Sequence, residues 1–240
     1  MDEDIGPIGL VFVAAAILLF AVLPWGLRRI FRHFGSRRIR RVRVTEAANG
    51  QPCRLAGTAR RHPDHPPLTT RFSEKEVLWC RARLLAFVQH DPNRESDDNP
   101  FDEVAQELNA VDAFWLEDDS GRALVRLFHT GTERELVLPC RSYKKLPTEK
   151  VEAMLEAKGR SLGAVREHHD IYPEDLHVEE ELLREGDRVV VVGTCRHEAA
   201  AGGQGGGAYR EAPLQRVVQG ERTLPLRIYA REEDVARLSR

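Results

Sequence analysis

Between Ile5 and Leu27 the chain carries 23 consecutive residues without a charge, thirteen of them Leu, Ile, Val or Phe. As a helix rising about 1.5 Å per residue, this run spans roughly 34 Å, enough for a hydrocarbon core of about 30 Å. Its strongly apolar side chains contribute about −4 to −8 kcal/mol towards insertion. Pro7 and Pro24 lie near the ends, where proline costs least, and Trp25 stands where an interfacial anchor would. A buried helix of a soluble domain would show a polar stripe at helical spacing, which this run lacks. A cleaved signal peptide would follow a positive flank, whereas Asp2, Glu3 and Asp4 precede this one. The sequence predicts one transmembrane helix.

Charge placement orients it. Arg28, Arg29, Arg32, Arg37, Arg38, Arg40, Arg41 and Arg43 follow the apolar run with no intervening acid. Arginine-rich flanks stay on the cytoplasmic side, so the expectation is a single-pass protein of the cell (inner) membrane, with its N-terminus outside and its body in the cytoplasm. Ile30, Phe31 and Phe34 alternate with the arginines, which suits a helix lying on anionic headgroups. In the other reading the arginines enforce topology alone. Taking the three N-terminal acids and these eight arginines out of a formal net charge of −2 leaves −7 for residues 44–240. An acidic body argues against nucleic-acid binding through a broad basic face. The expected division is an outer N-terminus and transmembrane helix over 1–27, a basic juxtamembrane segment over 28–44, and a cytoplasmic domain over 45–240.

Within that body, Cys53–Arg61 alternates loosely and reads as a half-buried strand, and His62–Pro67, with three prolines, as a turn. Glu76–Val88 is the richest strand candidate. His90–Pro100 reads as an exposed excursion and Phe101–Leu108 as a short helix. Ala113–Glu117 and Ala123–Phe128 flank Asp118-Asp119-Ser120-Gly121, a hairpin signature. Glu135–Pro139 reads as a short strand, and Pro147–Lys158 as a helix stopped by Gly159. Leu176–Leu183 and Arg188–Cys195 read as strands joined by a turn, the four valines of the second implying burial on both faces. Ala199–Ala208 reads as a flexible glycine-rich stretch, followed by strands at Leu214–Val218 and Leu224–Tyr229 and a C-terminal helix near Glu232–Leu238. The sum is a mainly β, antiparallel, partly open barrel with one or two helical inserts.

No catalytic pattern emerges. Gly203, Gly205 and Ala208 satisfy G-x-G-x-x-A nominally, but no amphipathic helix follows to meet a pyrophosphate. His62, Asp64 and His65, and likewise His168, His169, Asp170 and His177, lack metal-ligand spacing, and Glu179–Glu181 reads as a solvated edge. Cys53, Cys80, Cys140 and Cys195 contain no C-x-x-C pair and read as free thiols, mostly buried in strands. Neither a cofactor nor a metal is expected.

Three segments carry a resemblance: Phe114-x-Leu116-x-Asp118-Asp119-x-Gly121-x-Ala123-x-Val125, Glu185-Gly186-Asp187-x-Val189-Val190-Val191-x-Gly193, and Leu224-Pro225-Leu226-x-Ile228. With Gly57-x-Ala59, Pro67-Leu68 and the strand ending in Cys80-Arg81, they resemble the beside-a-membrane region of the GIDE family, over roughly residues 50 to 235. The family includes mitochondrial outer-membrane ubiquitin ligases and bacterial relatives. The resemblance implies a modified OB-like barrel beside the membrane that serves as a protein-interaction module, with Phe114, Asp119, Gly121, Gly186, Asp187 and Gly193 as its structural motif residues. The ligases carry a second transmembrane helix and a zinc-binding RING; these 240 residues contain neither, so ligase activity is not carried over. The excess of Arg over Lys, and of Ala and Gly, fits a GC-rich bacterial genome.

The function expected is a membrane-anchored, non-catalytic adaptor or sensor, touching anionic headgroups and an unidentified protein partner but no nucleic acid. The alternatives are a membrane-bound enzyme using dispersed His and Asp side chains, or a ligase-like protein in family name only.

Overall fold

A computed structural model describes residues 39–87, 101–128, 134–169, 175–199 and 214–239. The apolar run at 5–27, the excursion at 90–100 and the glycine-rich stretch at 199–208, apart from Ala199, lie outside the described residues. Among the described residues, no helix is long and apolar enough to cross a membrane.

In chain order the elements are β1 (Pro52–Arg61), β2 (Leu68–Thr69), β3 (Glu76–Val77), β4 (Trp79–Phe87), β5 (Phe101–Ala110), β6 (Ala113–Asp118), β7 (Gly121–Arg126), β8 (Arg134–Val137), β9 (Cys140–Tyr143), α1 (Thr148–Glu156), α2 (Leu162–His169), β10 (Leu176–Leu183), β11 (Arg188–Ala199), β12 (Leu214–Gln219), β13 (Leu226–Tyr229) and α3 (Glu232–Leu238). The structure is mainly β, and five of its strands close into a barrel. Around the barrel the order is β1-β6-β7-β12-β11 and back to β1, with β7 and β12 parallel and the other pairs antiparallel. Its interior is filled by Leu55, Phe114, Leu116, Val125, Val189, Val191 and Val218, all completely enclosed.

β11 explains its valines. Val190–Val192 face β1 along one edge and β13 along the other, while residues 194–199 pair with β12. Val189 to Val192 have no exposed surface, as their continuous apolar run implies. Gly193 stands where β13 gives way to β12: a Cβ there would lie 2.8 Å from the Gln219 carbonyl oxygen. Gly57 is tighter still, its would-be Cβ 2.4 Å from the Glu117 carbonyl oxygen where β1 passes from β11 to β6. Both glycines are there because another backbone needs the space.

A second, four-stranded antiparallel sheet runs β5-β4-β10-β9. Its strands come from two insertions in the barrel, one between β1 and β6 and one between β7 and β11. One face is covered by α1 and α2, with Val151, Met154, Leu155 and Val165 packed on Cys80, Leu84, Val104 and Val178. The opposite face carries cross-strand ion pairs, Arg81–Glu181 at 2.5 Å and Arg83–Glu179 at 2.6 Å. The turn Arg184–Asp187 therefore joins strands of different sheets rather than closing a hairpin, handing the chain from β10 to β11.

Two expectations are overturned. Glu179–Glu181 is not a solvated edge: β10 lies between β4 and β9, and Glu180 has no exposed surface. Residues 101–108 form strand, not helix: β5 pairs with β4 from Trp79↔Ala110 to Phe87↔Phe101. The ladder is irregular at Leu84/Leu85, where Val104 is the extra residue, so Val104 and Ala105 are buried in succession. That bulge breaks the period of two, and the apolar spacing it leaves, Phe101, Val104, Leu108, imitates a helix. Three elements, β2, β9 and α2, were not anticipated.

Candidate interaction surfaces

The basic segment joins the barrel through its last residues. Trp25, Arg28, Arg29, Arg32, Arg37 and Arg38 lie outside the described residues. Arg40, Arg41 and Arg43 are exposed. Arg41 bridges to Arg54 of β1 and its guanidinium donates to the Ser239 carbonyl, while the Val42 N–H donates to the Arg54 carbonyl at 3.1 Å. Val44 is completely buried, so the packed unit begins ahead of it.

Asp118 fastens this junction. Its Oδ2 accepts the Val44 N–H at 2.9 Å, and its Oδ1 accepts from the Ser120 N–H at 2.8 Å, the Ser120 hydroxyl at 2.6 Å and the Gly121 N–H at 3.0 Å. Burial opposes ionisation here, but these hydrogen bonds outweigh it and hold the carboxyl below its ordinary value. Of the neighbouring motif acids, the exposed Asp119 makes no such contact; Asp118 is the residue sequence reasoning undervalued, and its signal was the Asp-x-Ser-Gly turn chemistry.

The other motif residues are architectural. Phe114 fills the barrel. The Gly186 N–H donates to the Ala59 carbonyl at 2.8 Å, and the Ala59 N–H to the Asp187 carbonyl at 2.9 Å, so the Glu185-Gly186-Asp187 turn seats on the Gly57-x-Ala59 stretch of β1. Gly186 adopts φ +90, open to glycine, and the Asp187 carboxylate closes the turn by accepting the Arg184 N–H at 2.8 Å.

On the outer face of β6 and β7, a site that could stack a base is already occupied. His62 stacks on Trp115 with centroids 5.2 Å apart, and the Arg122 guanidinium lies 4.6 Å from the Trp115 ring centre. The Asp64 N–H is directed at His62 Nδ1 at 3.3 Å, so this histidine ties down the proline-rich turn. His168 and His169 have side chains outside the described set, and Asp170 lies outside it entirely. His177 belongs to a different place, edge-on to Phe101 at 4.4 Å. Among the described residues no group of three His, Cys, Asp or Glu could hold a metal ion.

The thiols separate into three environments. Cys140 is exposed; the others are buried. Burial, with Glu180, Glu107 and Glu181 nearby, pushes the Cys80 thiol up to about 12. Cys53 and Cys195 share a thiol hydrogen bond that raises Cys53 and, helped by His197 and Arg216, lowers Cys195. Cys195 has no exposed surface, so its sulfur faces no substrate.

Two hollows flank the uncovered face of the four-stranded sheet. A cleft of about 1320 Å3 runs from Pro139 and Cys140 past Arg188 to Arg231 and Val235 of the α3 region. A smaller pocket of about 440 Å3 is lined by Phe87, Phe101, Ser142, Lys144, His177 and Glu179, among others. Phe87 and Phe101 meet edge to face at 5.6 Å. Burial, the largest influence, and the Lys144 charge hold His177 below the usual histidine value despite the opposing pull of Glu179. Compared with family models, with curated proteins and with solved structures, the chain matches none.

Proposed function

We propose that this chain is a membrane-anchored, non-catalytic protein-interaction module. Its barrel is of OB type and related to the GIDE family, carried by a helix over 5–27 with the body on the cytoplasmic side. The observation that carries the reading is a contrast: the barrel interior is packed with Leu55, Phe114, Leu116 and Val125, while the four-stranded sheet, among the described residues, keeps one face and one edge uncovered. The strand order, with first, second, third, fifth and fourth strands in a closed ring and third parallel to fifth, supports an OB-type barrel. The occupied face around Trp115 favours protein over single-stranded nucleic acid, which needs free stacking platforms.

The test is membrane fractionation followed by affinity capture. The full chain is expected in the alkali-resistant membrane fraction and should recover a reproducible protein partner; residues 41–240 should be released from membranes yet keep that partner. Truncation at 41 rather than 45 preserves the buried Val44. A full chain extracted by alkali, or no partner at any salt concentration, would overturn the reading.

A further inference from the structure

Resting on the interaction-module reading, we propose that β9 is a docking edge for an extended segment of a partner protein that alternates apolar and acidic residues. The segment adds as a fifth strand to the four-stranded sheet. The backbone is set for it. The Leu182 N–H donates to the Pro139 carbonyl at 3.2 Å, and the register runs from Glu181↔Cys140 to Val178↔Tyr143. Hydrogen-bonded pairs alternate in an antiparallel ladder, so Arg141 and Tyr143 bond to β10 while the N–H and C=O groups of Cys140 and Ser142 point away. Among the described residues nothing bonds to those outward groups, and Cys140, Arg141 and Ser142 are all exposed.

The opposite edge of the same sheet is blunted. β5 carries the bulge at Val104, and Arg160 Nη1 donates to the Val104 carbonyl at 2.6 Å. Arg71 and Glu107 are paired there at 2.8 Å. Bulges and side-chain caps protect an edge against added strands; β9 has neither.

Charge selects the occupant. Arg81, Arg83 and Arg71 each hold a carboxylate, whereas Arg141, Lys144, Lys145 and Arg188 have no carboxylate partner among the described residues. Arg141, Lys144 and Lys145 gather along β9 in a body of net negative charge, while the adjoining cleft is mixed, with Arg184, Arg188 and Arg231 beside Asp187, Glu232 and Glu233. Two β9 edges brought together would oppose like charges, which disfavours a second copy and favours an acidic strand.

The two hollows supply the apolar half of the pattern. Cys140 and Ser142 point to the same face, away from α1 and α2. One lines the large cleft and the other the aromatic pocket. Same-face side chains of an added strand are also two residues apart, about 7 Å, so positions i and i+2 reach the two hollows together. The residue between them lies on the Arg141 side, where an acid is matched.

The test uses the full chain in lipid nanodiscs and a fluorescent peptide alternating leucine and glutamate, with two controls: a leucine–lysine version and one N-methylated at alternate residues. Binding is followed by anisotropy, with amide exchange of Cys140 and Ser142 in parallel. The leucine–glutamate peptide should bind, slow those two amides, and lose about tenfold or more in affinity on Arg141→Glu and on Ser142→Pro. Proline is tolerated on an edge whose N–H faces out, and Arg141→Glu leaves the backbone intact, so one variant reports even if the other misfolds. Absence of binding, equal binding of the N-methylated peptide, or unchanged affinity in both variants would overturn the proposal. Dimerisation of the wild type abolished by Ser142→Pro would also overturn it, in favour of a second copy. If a captured partner survives both variants, the interaction reading stands without this edge; if no partner is captured at all, both fall.

Discussion

The barrel and the four-stranded sheet solve the same problem in opposite ways. The barrel closes its five strands on one another and fills the inside with branched apolar side chains. The sheet, assembled from two separate insertions, covers one face with helices and, among the described residues, lines the other with Arg–Glu pairs and half-exposed Phe87 and Leu108. A closed ring removes its own edges; an open sheet must cap, charge or use them. Stability should therefore concentrate in the barrel and recognition in the sheet, and substitutions can separate the two.

The largest effect is expected at Phe114, which has no exposed surface. Phe114→Ala should cost about 3 to 5 kcal/mol in urea denaturation, from lost transfer energy and an unfilled cavity. Gly57→Ala comes next, at about 1 to 3 kcal/mol, because its methyl group would press on the Glu117 backbone rather than on a side chain that can turn aside. A tolerated Gly57→Ala would mean that β1 and β6 separate more easily than their packing implies.

On the sheet, Arg81 and Glu181 should couple by only about 1 kcal/mol in a double-mutant cycle, since Arg81 remains one-third exposed. Arg81→Met alone should cost more than the double substitution with Glu181→Gln, because it leaves a carboxylate whose side chain is 10% exposed without its cation. At the barrel junction, Asp118 gives a pH signature. Its folded-state pKa is depressed, so its contribution is complete above the ordinary aspartate value near 3.9 and is lost as pH falls through the folded value. Asp118→Asn should flatten that part of the stability profile and leave the neutral-to-alkaline limb unchanged, as thermal melts across pH would show.

Much of this contrast was legible in the sequence, and unevenly so. The barrel strands announced themselves because each carries a local signal: alternation in Cys53–Arg61, the Asp118–Gly121 turn between two apolar runs, four valines after Gly186. In the sheet, β4 and β10 were as legible, inside Glu76–Val88 and at Leu176–Leu183, but β5 and β9 were harder because they depend on distant partners. β5 hid behind a bulge that mimics helical spacing. β9, Cys-Arg-Ser-Tyr, has no alternation of its own and is a strand only because β10 offers it a ladder. The edge proposed here for docking was thus invisible from residues alone, since the cations of Arg141, Lys144 and Lys145 acquire meaning only once the neighbours that could neutralise them are placed.

The smallest expected effect sharpens the comparison most. Leu108 lies 40% exposed on the uncovered face, opposite Arg81 in the β4–β5 ladder. Nothing among the described residues needs its side chain for packing, so Leu108→Lys should change stability by no more than about 0.5 kcal/mol. Equilibrium denaturation of the full chain in detergent checks it directly. A cost above about 2 kcal/mol would mean that this face is covered, and a covered face would carry Leu108 as core rather than surface. The division between a barrel that stabilises and a sheet that recognises would then fail at its simplest point, because an occupied sheet has no open face to offer a partner. A near-neutral Leu108→Lys, beside a costly Phe114→Ala, would instead place the stability in the barrel and leave this face of the sheet free for the docking proposed above.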